Sequence, residues 1–348
     1  MEKLLTLAVP SFNMEDYLEK CILSCVCDNM QYLDIIIIND GSLDKTSEIG
    51  HRLQEKYKDV VRIIDKKNGH YGSCVNVALN NATGKYFRML DPDDWCDTNA
   101  LNSLLENMKK NDCDLIITVA EDRLLGQAVT LRMDVPSTIE IGKTYNFLTF
   151  DCWEKGYKWL FCSHVTTYKT SLLRGIHLKL QEGICYTDNE YVFYPLDKVK
   201  KIVFYDFPVY QYYVGRGDAS TIEYCLKQQM EMWKVLKPMF AYFYKYKGNQ
   251  QSSVLNNQRI IIVEIAKWIL SPVFLYEQKF GSKSDSIIYE LQSFIVRDTS
   301  IYEQVKQSMS INFIPYYDVF CKTGKIMPRT LRLLTMQYLK KLKNIVLN

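Results

Sequence analysis

Long apolar runs are missing from this 348-residue chain, so it contains no stretch of about 20 uncharged apolar residues that would read as a transmembrane helix. The nearest, IIIVEIAKWILSPVFLY at 260–276, is interrupted by Glu264, Lys267 and Pro272. The opening MEKLLTLAVPSFNMEDYLEK has neither the apolar core nor the small-residue cleavage site of a secretion signal. Charge of one sign is scarce too. The 43 Lys and Arg against 40 Asp and Glu leave +3, which excludes a chain-wide attraction to nucleic acid. The 11 cysteines include the close group Cys21, Cys25 and Cys27, but no histidine or second cysteine pair follows at zinc-site spacing. They read as reduced, mostly buried apolar side chains of a cytoplasmic protein. The dinucleotide fingerprint G-x-G-x-x-G is absent. IEIGKT at 139–144 carries GKT without the upstream glycine of a phosphate-cradling loop. Any phosphate is therefore expected to be held by a metal ion. Internal repeats and low-complexity segments are also absent.

What is present suits a globular fold, with 47% hydrophobic and 24% charged residues. Strand-like LLTLAV (4–9), DIIIIND (34–40), VVRIID (60–65), YFRML (86–90) and DLIITV (114–119) alternate with helix-like YLEKCILSCV (17–26), TSEIGHRLQEKY (46–57), CVNVALNNA (74–82) and ALNSLLENMKK (100–110). The unbroken β-branched run at 34–40 marks a strand buried on both faces. This order predicts an α/β fold, a doubly wound, mostly parallel, Rossmann-like sheet, with ligands beyond the carboxyl ends of its strands. Those ends are polar: PSFN (10–13), NDGSLDKT (39–46), DKKNGHYG (65–72) and DPDD (91–94). Further on, AVTLRM (128–133) reads as a strand and KTYNFLTFDCWEKG (143–156) as a helix. CYTDNEYVFYPLDKV (185–199) reads as a loop passing into a helix, and KIVFYD (201–206) and PVYQYYV (208–214) as two strands. The expected organisation is one domain over 1–220 and a helical region over 221–348.

Asp91, Asp93 and Asp94 follow a strand within four positions and repel one another. A hard cation such as Mg2+ or Mn2+ offsets that cost, since it takes oxygen ligands and shares them with a substrate diphosphate. Asp91 and Asp93, two apart around the stiffening Pro92, are the expected metal ligands. Asp94 taken alone reads as the cap of the following helix.

Together VPSFNMEDYLEKCILS, IIIINDGSLDKT, ATGKYFRMLDPDDW and YTDNEY resemble the family 2 glycosyltransferases over roughly residues 4–215. The resemblance implies a GT-A fold. It also implies inverting transfer of a sugar from a nucleotide-diphosphate donor, usually a uridine one, with Mn2+ or Mg2+. It places Pro10, Phe12 and Asn13 along the base and ribose, and Asn68 near the nucleotide. Asp40 would accept a hydrogen bond from the base, which agrees with uracil N3–H being a donor. Asp91 and Asp93 would lie nearest the ribose, diphosphate and ion. The chain departs from the family at CVN (74–76), where Ala-Arg-Asn is common, so Val75 stands where an arginine is expected. Lys66, Lys67 and His70 are candidates to replace that charge, the alternative being a solvated lysine pair.

In the second half, Asp188 matches the family aspartate that deprotonates the acceptor hydroxyl, although Thr187 stands where a glutamate is usual. An inverting displacement needs one carboxylate within hydrogen-bond reach of the attacking oxygen. Glu190 is the rival base, or else a first-turn helix acid. His164 and Arg216 are further acceptor-side candidates, each also readable as structural.

The tail carries seven Lys or Arg and no acid over 319–348, with Leu331, Leu334, Tyr338, Leu342 and Ile345 at helical spacing. It reads either as an interfacial helix on anionic lipid through 325–348 or as a helix packed on its own domain. Expected partners are therefore the nucleotide-sugar donor, a glycan or lipid-linked acceptor and an anionic membrane surface. The expected location is cytoplasmic, peripheral at the inner face of the cell membrane. Two other readings remain open: a nucleotidyltransferase, though VPSFNMEDY lacks a basic glycine-rich loop, and a non-catalytic nucleotide-sugar-binding protein.

Overall fold

The computed structural model describes residues 2–124, 128–214, 222–275, 282–308 and 314–323. It begins with β1 (Leu5–Ser11), α1 (Leu18–Ser24), β2 (Leu33–Asn39), α2 (Thr46–Lys56), β3 (Val61–Asp65), α3 (His70–Asn81) and β4 (Tyr86–Met89). Then come β5 (Trp95–Cys96), α4 (Thr98–Met108), β6 (Leu115–Arg123), β7 (Val129–Arg132), β8 (Thr144–Asn146), β9 (Thr166–Lys169), α5 (Thr170–Gly175), α6 (Asp188–Phe193) and β10 (Lys201–Tyr213). Five helices follow: α7 (Ile222–Tyr246), α8 (Ser252–Leu275), α9 (Ser282–Ile295), α10 (Thr299–Ser308) and α11 (Ile314–Thr323).

One mixed sheet runs in the order β3-β2-β1-β4-β9-β6-β10-β5. Its first half is parallel, and β1 and β2 are buried along their whole length, as the continuous apolar runs require. Register pairs Ser11 with Asn39 and Asn39 with Asp65, so three strands end level and their loops leave along one edge. Past β4 the sheet changes character. Strand β9 is antiparallel to both β4 and β6, while β10 is parallel to β6. The α/β class thus stands with a helical C-terminal region, and the parallel half carries the loops of interest.

Two segments differ from expectation. The region 143–156 is not a helix: Thr144–Asn146 pairs antiparallel with β10 and a short 3-10 turn follows at Phe147–Thr149. The Tyr145 ring packs at a tilt 4.7 Å from Phe150, which lies 5.4 Å from Phe204 of β10. This aromatic cluster outweighs a weak helical pattern made of Thr, Tyr and Asn. The two strands expected at 201–214 form the single β10, whose register shifts around Pro208. Proline removes one ladder donor, and an irregularity absorbs the loss without ending the strand.

By compactness, Tyr246–Ile260 groups with the described residues up to 214, and a second unit holds 222–245 with the described residues from Ile261 onward. Within that second unit, Phe240 stacks 5.0 Å from Phe294, and Gln229 Nε2 donates to the Ile269 carbonyl at 2.7 Å. No helix among the described residues is long and apolar enough to cross a membrane. The described cysteines are all free thiols and mostly buried, Cys185 being exposed.

Candidate active site

The strand-end loops are zipped together by hydrogen bonds. Asn13, at φ 54, receives the Leu43 N–H on Oδ1 at 2.9 Å, and its own N–H donates to Ser42 Oγ at 3.0 Å. The Met14 N–H reaches Thr46 Oγ1 at 2.7 Å. Gly41 supports the turn at φ 74, and a Cβ there would come within 3.0 Å of the Asn68 nitrogen. Phe12 is left 43% exposed above buried Pro10, so it offers an uncovered aromatic face at the end of β1.

Asp40 is buried just past β2, where Oδ1 accepts from the Gly69 N–H at 2.9 Å and from Lys66 Nζ. Asn68 Nδ2 holds the Asp40 carbonyl at 3.0 Å. Lys66 is therefore not half of a solvated lysine pair. It is half-buried between Asp40, the Lys67 carbonyl and Ser73 Oγ, while Lys67 is exposed. Val75 faces the core at 1% exposure.

The aspartate loop is tied to β10. Asp94 is buried, and its carboxylate accepts from the Tyr210 hydroxyl at 2.6 Å and the Tyr213 N–H at 2.7 Å. It does not cap α4. Asp97 does so, accepting from the Ala100 N–H at 2.9 Å. Burial and the neighbouring Asp91 charge push the Asp94 carboxyl up to about 8. Asp91 accepts from the Tyr71 hydroxyl at 2.9 Å, and His164 Nε2 lies 3.5 Å from its other oxygen. Burial raises Asp91, but the His164 and Tyr71 bonds outweigh it and hold the carboxyl below its usual range. Burial likewise opposes the His164 charge, yet Cys162 and Asp91 raise it well above the ordinary imidazole value.

Ligand atoms of Asp91, Asp94 and His164 all lie within 4.8 Å of one another. Asp93, expected as a ligand, is not among the three. Two carboxylates and one imidazole, with one carboxyl driven up by its neighbour's charge, form a donor set that a divalent cation relieves. The residues fit a divalent cation.

His164 stacks 4.3 Å from the Tyr210 ring and 5.2 Å from Tyr212. Its carbonyl is held by Arg88, which is 1% exposed and also donates to Thr118 Oγ1 at 2.9 Å and Thr167 Oγ1 at 3.0 Å. Sequence reasoning missed Arg88, Tyr71 and Tyr210. The arginine had a signal, a lone charge inside the strand YFRML, since a charge there must find buried partners. Tyr71 and Tyr210 had none, because their partners lie 20 and 116 positions away.

Asp188 starts α6, half-buried, close enough to Asp91 and His164 to feel both charges. Burial first, and then the Asp91 charge, push it up to about 6. Glu190 differs. It is buried, and its two oxygens accept from the Gln181 N–H at 2.7 Å and Gln181 Nε2 at 2.8 Å. Arg216 lies outside the described residues.

A mixed α/β sheet whose strand ends carry clustered carboxylates, followed by helices, is a GT-A-like fold. The family model for glycosyl transferase family 2 matches residues 6–168. An uncharacterized glycosyltransferase, MG060 of Mycoplasma genitalium, is 27% identical over 76% of this chain and 77% of its own. Glycosyltransferase GlyA of Streptococcus pneumoniae is 29% identical over 32% of this chain, a region spanning only 16% of GlyA. Among solved structures, S. aureus TarS 1-349 in complex with UDP-GlcNAc matches with a TM-score of 0.66 at 15% identity, covering 97% of this chain and 92% of the other. The mannosyltransferase PcManGT of Pyrobaculum calidifontis, in complex with GDP-Man and Mn2+, matches at 0.51 and 11% identity, covering 93% and 88%. Residues 6–168 thus match the glycosyl transferase family 2 model, and over that region and beyond it the chain is similar to these glycosyltransferases.

Proposed function

We propose that this transferase moves a sugar, with inversion, from a UDP-sugar to a hydroxyl of a glycan or lipid-linked acceptor, with Asp188 as the general base. The carrying observation is the Asp188 carboxyl, pushed up to about 6 beside Asp91. It is ionised at neutral pH yet basic enough to take a proton, which general-base work requires. Glu190 is the weaker base because Gln181 occupies both of its oxygens. The second oxygen of Asp40, outside the Lys66 and Gly69 bonds, serves to accept from uracil N3–H. Phe12 covers the base. Asp91, Asp94 and His164 would hold the ion, with Asp93 on the same loop. A bound divalent ion supplies charge stabilisation to the leaving diphosphate. Arg88 and the two tyrosine rings keep His164 against Asp91. The UDP-GlcNAc of TarS supports a uridine donor here, and the Mn2+ of PcManGT supports the choice of metal.

Two measurements test the partners. Uridine diphosphate with Mn2+ should raise Tm more than guanosine diphosphate at equal concentration, because ligand binding to the native state stabilises it by mass action. Equal shifts would contradict a uracil site. The basic tail, 325–348, lies outside the described residues, and we propose that it holds the enzyme at the inner face of the cell membrane. Deleting it should leave UDP-sugar hydrolysis unchanged and abolish sedimentation with anionic vesicles in low salt. Undiminished sedimentation of the truncated protein would remove the membrane role.

A further inference from the structure

The segment that carries Asp188 is fastened to the first turns of α3. Asn76 grips Leu180 on both sides: Nδ2 donates to the Leu180 carbonyl at 2.9 Å and Oδ1 accepts the Leu180 N–H at 2.8 Å. The same Nδ2 also reaches Glu182 Oε1 at 3.0 Å. The next residue, Gln181, is held from the other side by buried Glu190. Its carbonyl lies so close to Gly72 that a Cβ on that glycine would come within 2.0 Å of it, and within 3.0 Å of Thr187 Oγ1. Farther along, the Gly183 N–H donates to the Gly69 carbonyl at 2.9 Å. Tyr186 is bent into the left-handed region at φ 64, and Asn189 Nδ2 pins its carbonyl at 2.9 Å. Buried Thr187 then leads directly into Asp188.

The same turn of α3 also serves the donor side. The Gly69 N–H binds Asp40 and the Tyr71 hydroxyl binds Asp91. Four residues of one helix start, Gly69, Tyr71, Gly72 and Asn76, therefore touch all three parts of the site. Only a residue without a side chain lets the Gln181 carbonyl approach α3 this closely, because the opposing atom is backbone and cannot rotate away.

We infer that Gly72 and Asn76 are positioning residues for Asp188: by clamping 180–187 onto α3 they set the carboxylate's distance from the donor. This rests on the reading of Asp188 as the base. A displacement on the order of 1 Å at a reacting group can cost about 100-fold in rate. Donor binding, which uses Asp40 and Asp91, is untouched by a shift of the clamp alone.

The test uses the full chain and hydrolysis of UDP-GlcNAc with Mn2+, or of whichever UDP-sugar of a panel the wild type turns over fastest. Gly72→Ala is expected to lower kcat by about 100-fold and Asn76→Ala by about 10-fold, with the Kd for uridine diphosphate within about twofold of wild type. Each change placed on Asp188→Asn should slow the enzyme no further, because both act through that carboxylate. A merely structural role would multiply the losses. Should Gly72→Ala fail to fold, Asn76→Ala and its double variant carry the comparison. Wild-type kcat in Gly72→Ala and Asn76→Ala beside an inactive Asp188→Asn would overturn the clamp alone, as would fully multiplicative doubles. A fully active Asp188→Asn would overturn the base reading, and the clamp's role with it.

Discussion

Asp188→Asn is expected to reduce turnover by roughly 100- to 10,000-fold while the affinity for uridine diphosphate stays within experimental scatter. The substitution keeps shape and removes the proton acceptor. Its effect on stability should have the opposite sign from that of a damaged core. A carboxyl raised from 3.8 to about 6 binds a proton more tightly in the native state than in the unfolded one. Stability therefore falls as pH rises between those two values, and the cost of the ionised form persists above about 6. At pH 8 the asparagine variant should accordingly match or exceed the wild type in Tm. Wild-type turnover should climb with pH to a plateau, since the base must be ionised to act. Its midpoint should lie at or below about 6, because a cation on Asp91 offsets part of the charge that raises Asp188. Glu190→Gln should behave differently. It sets an amide donor against the donors of Gln181, a loss of about 1–3 kcal/mol that melting curves would record. Turnover and Tm measured side by side for the two variants separate the roles.

Asp91→Asn is expected to cost on the order of 1,000-fold in turnover, since several kcal/mol of charge stabilisation would depend on the ion that Asp91 is proposed to hold. It should also abolish the tightening of uridine diphosphate binding by Mn2+. Removing metal from the wild type with a chelator should reproduce both effects, and added Mn2+ should restore the wild type alone. Isothermal titration with and without Mn2+ reads this directly. Asp93→Asn, run in parallel, distinguishes an Asp91–Asp93 pair from the convergent Asp91, Asp94 and His164. Retained Mn2+ dependence in Asp91→Asn would remove the aspartate loop from the metal site.

The parallel half of the sheet was legible because its signal is local. The IIII run of β2 can be buried only on both faces, and each of the first strands ends in a polar cluster whose place on the sheet edge follows from parallel winding. The antiparallel insertions were less so. β8 forms against β10 through aromatic packing across more than 50 residues, and periodicity within 143–156 carries no trace of that partner. The site shows the same division. Asp91 and Asp188 stand in motifs that read along the chain. The role of Asp94 does not, because it follows from Tyr210 and Tyr213, which reach the loop only once β10 is laid beside β5. The two readings of Lys66 stayed open for the same reason: its lysine neighbour suggested a solvated pair, whereas the buried Asp40 that it pairs with lies 26 residues away.

An inverting transfer assisted by a base fixes the configuration of the sugar that leaves the donor. Proton NMR of the first sugar released from an α-linked UDP-sugar, recorded before the anomers equilibrate, tests it most directly. The wild type should form a β-configured product, and Asp188→Asn should lose it. An α-configured product, or a β product made equally fast by Asp188→Asn, would contradict it.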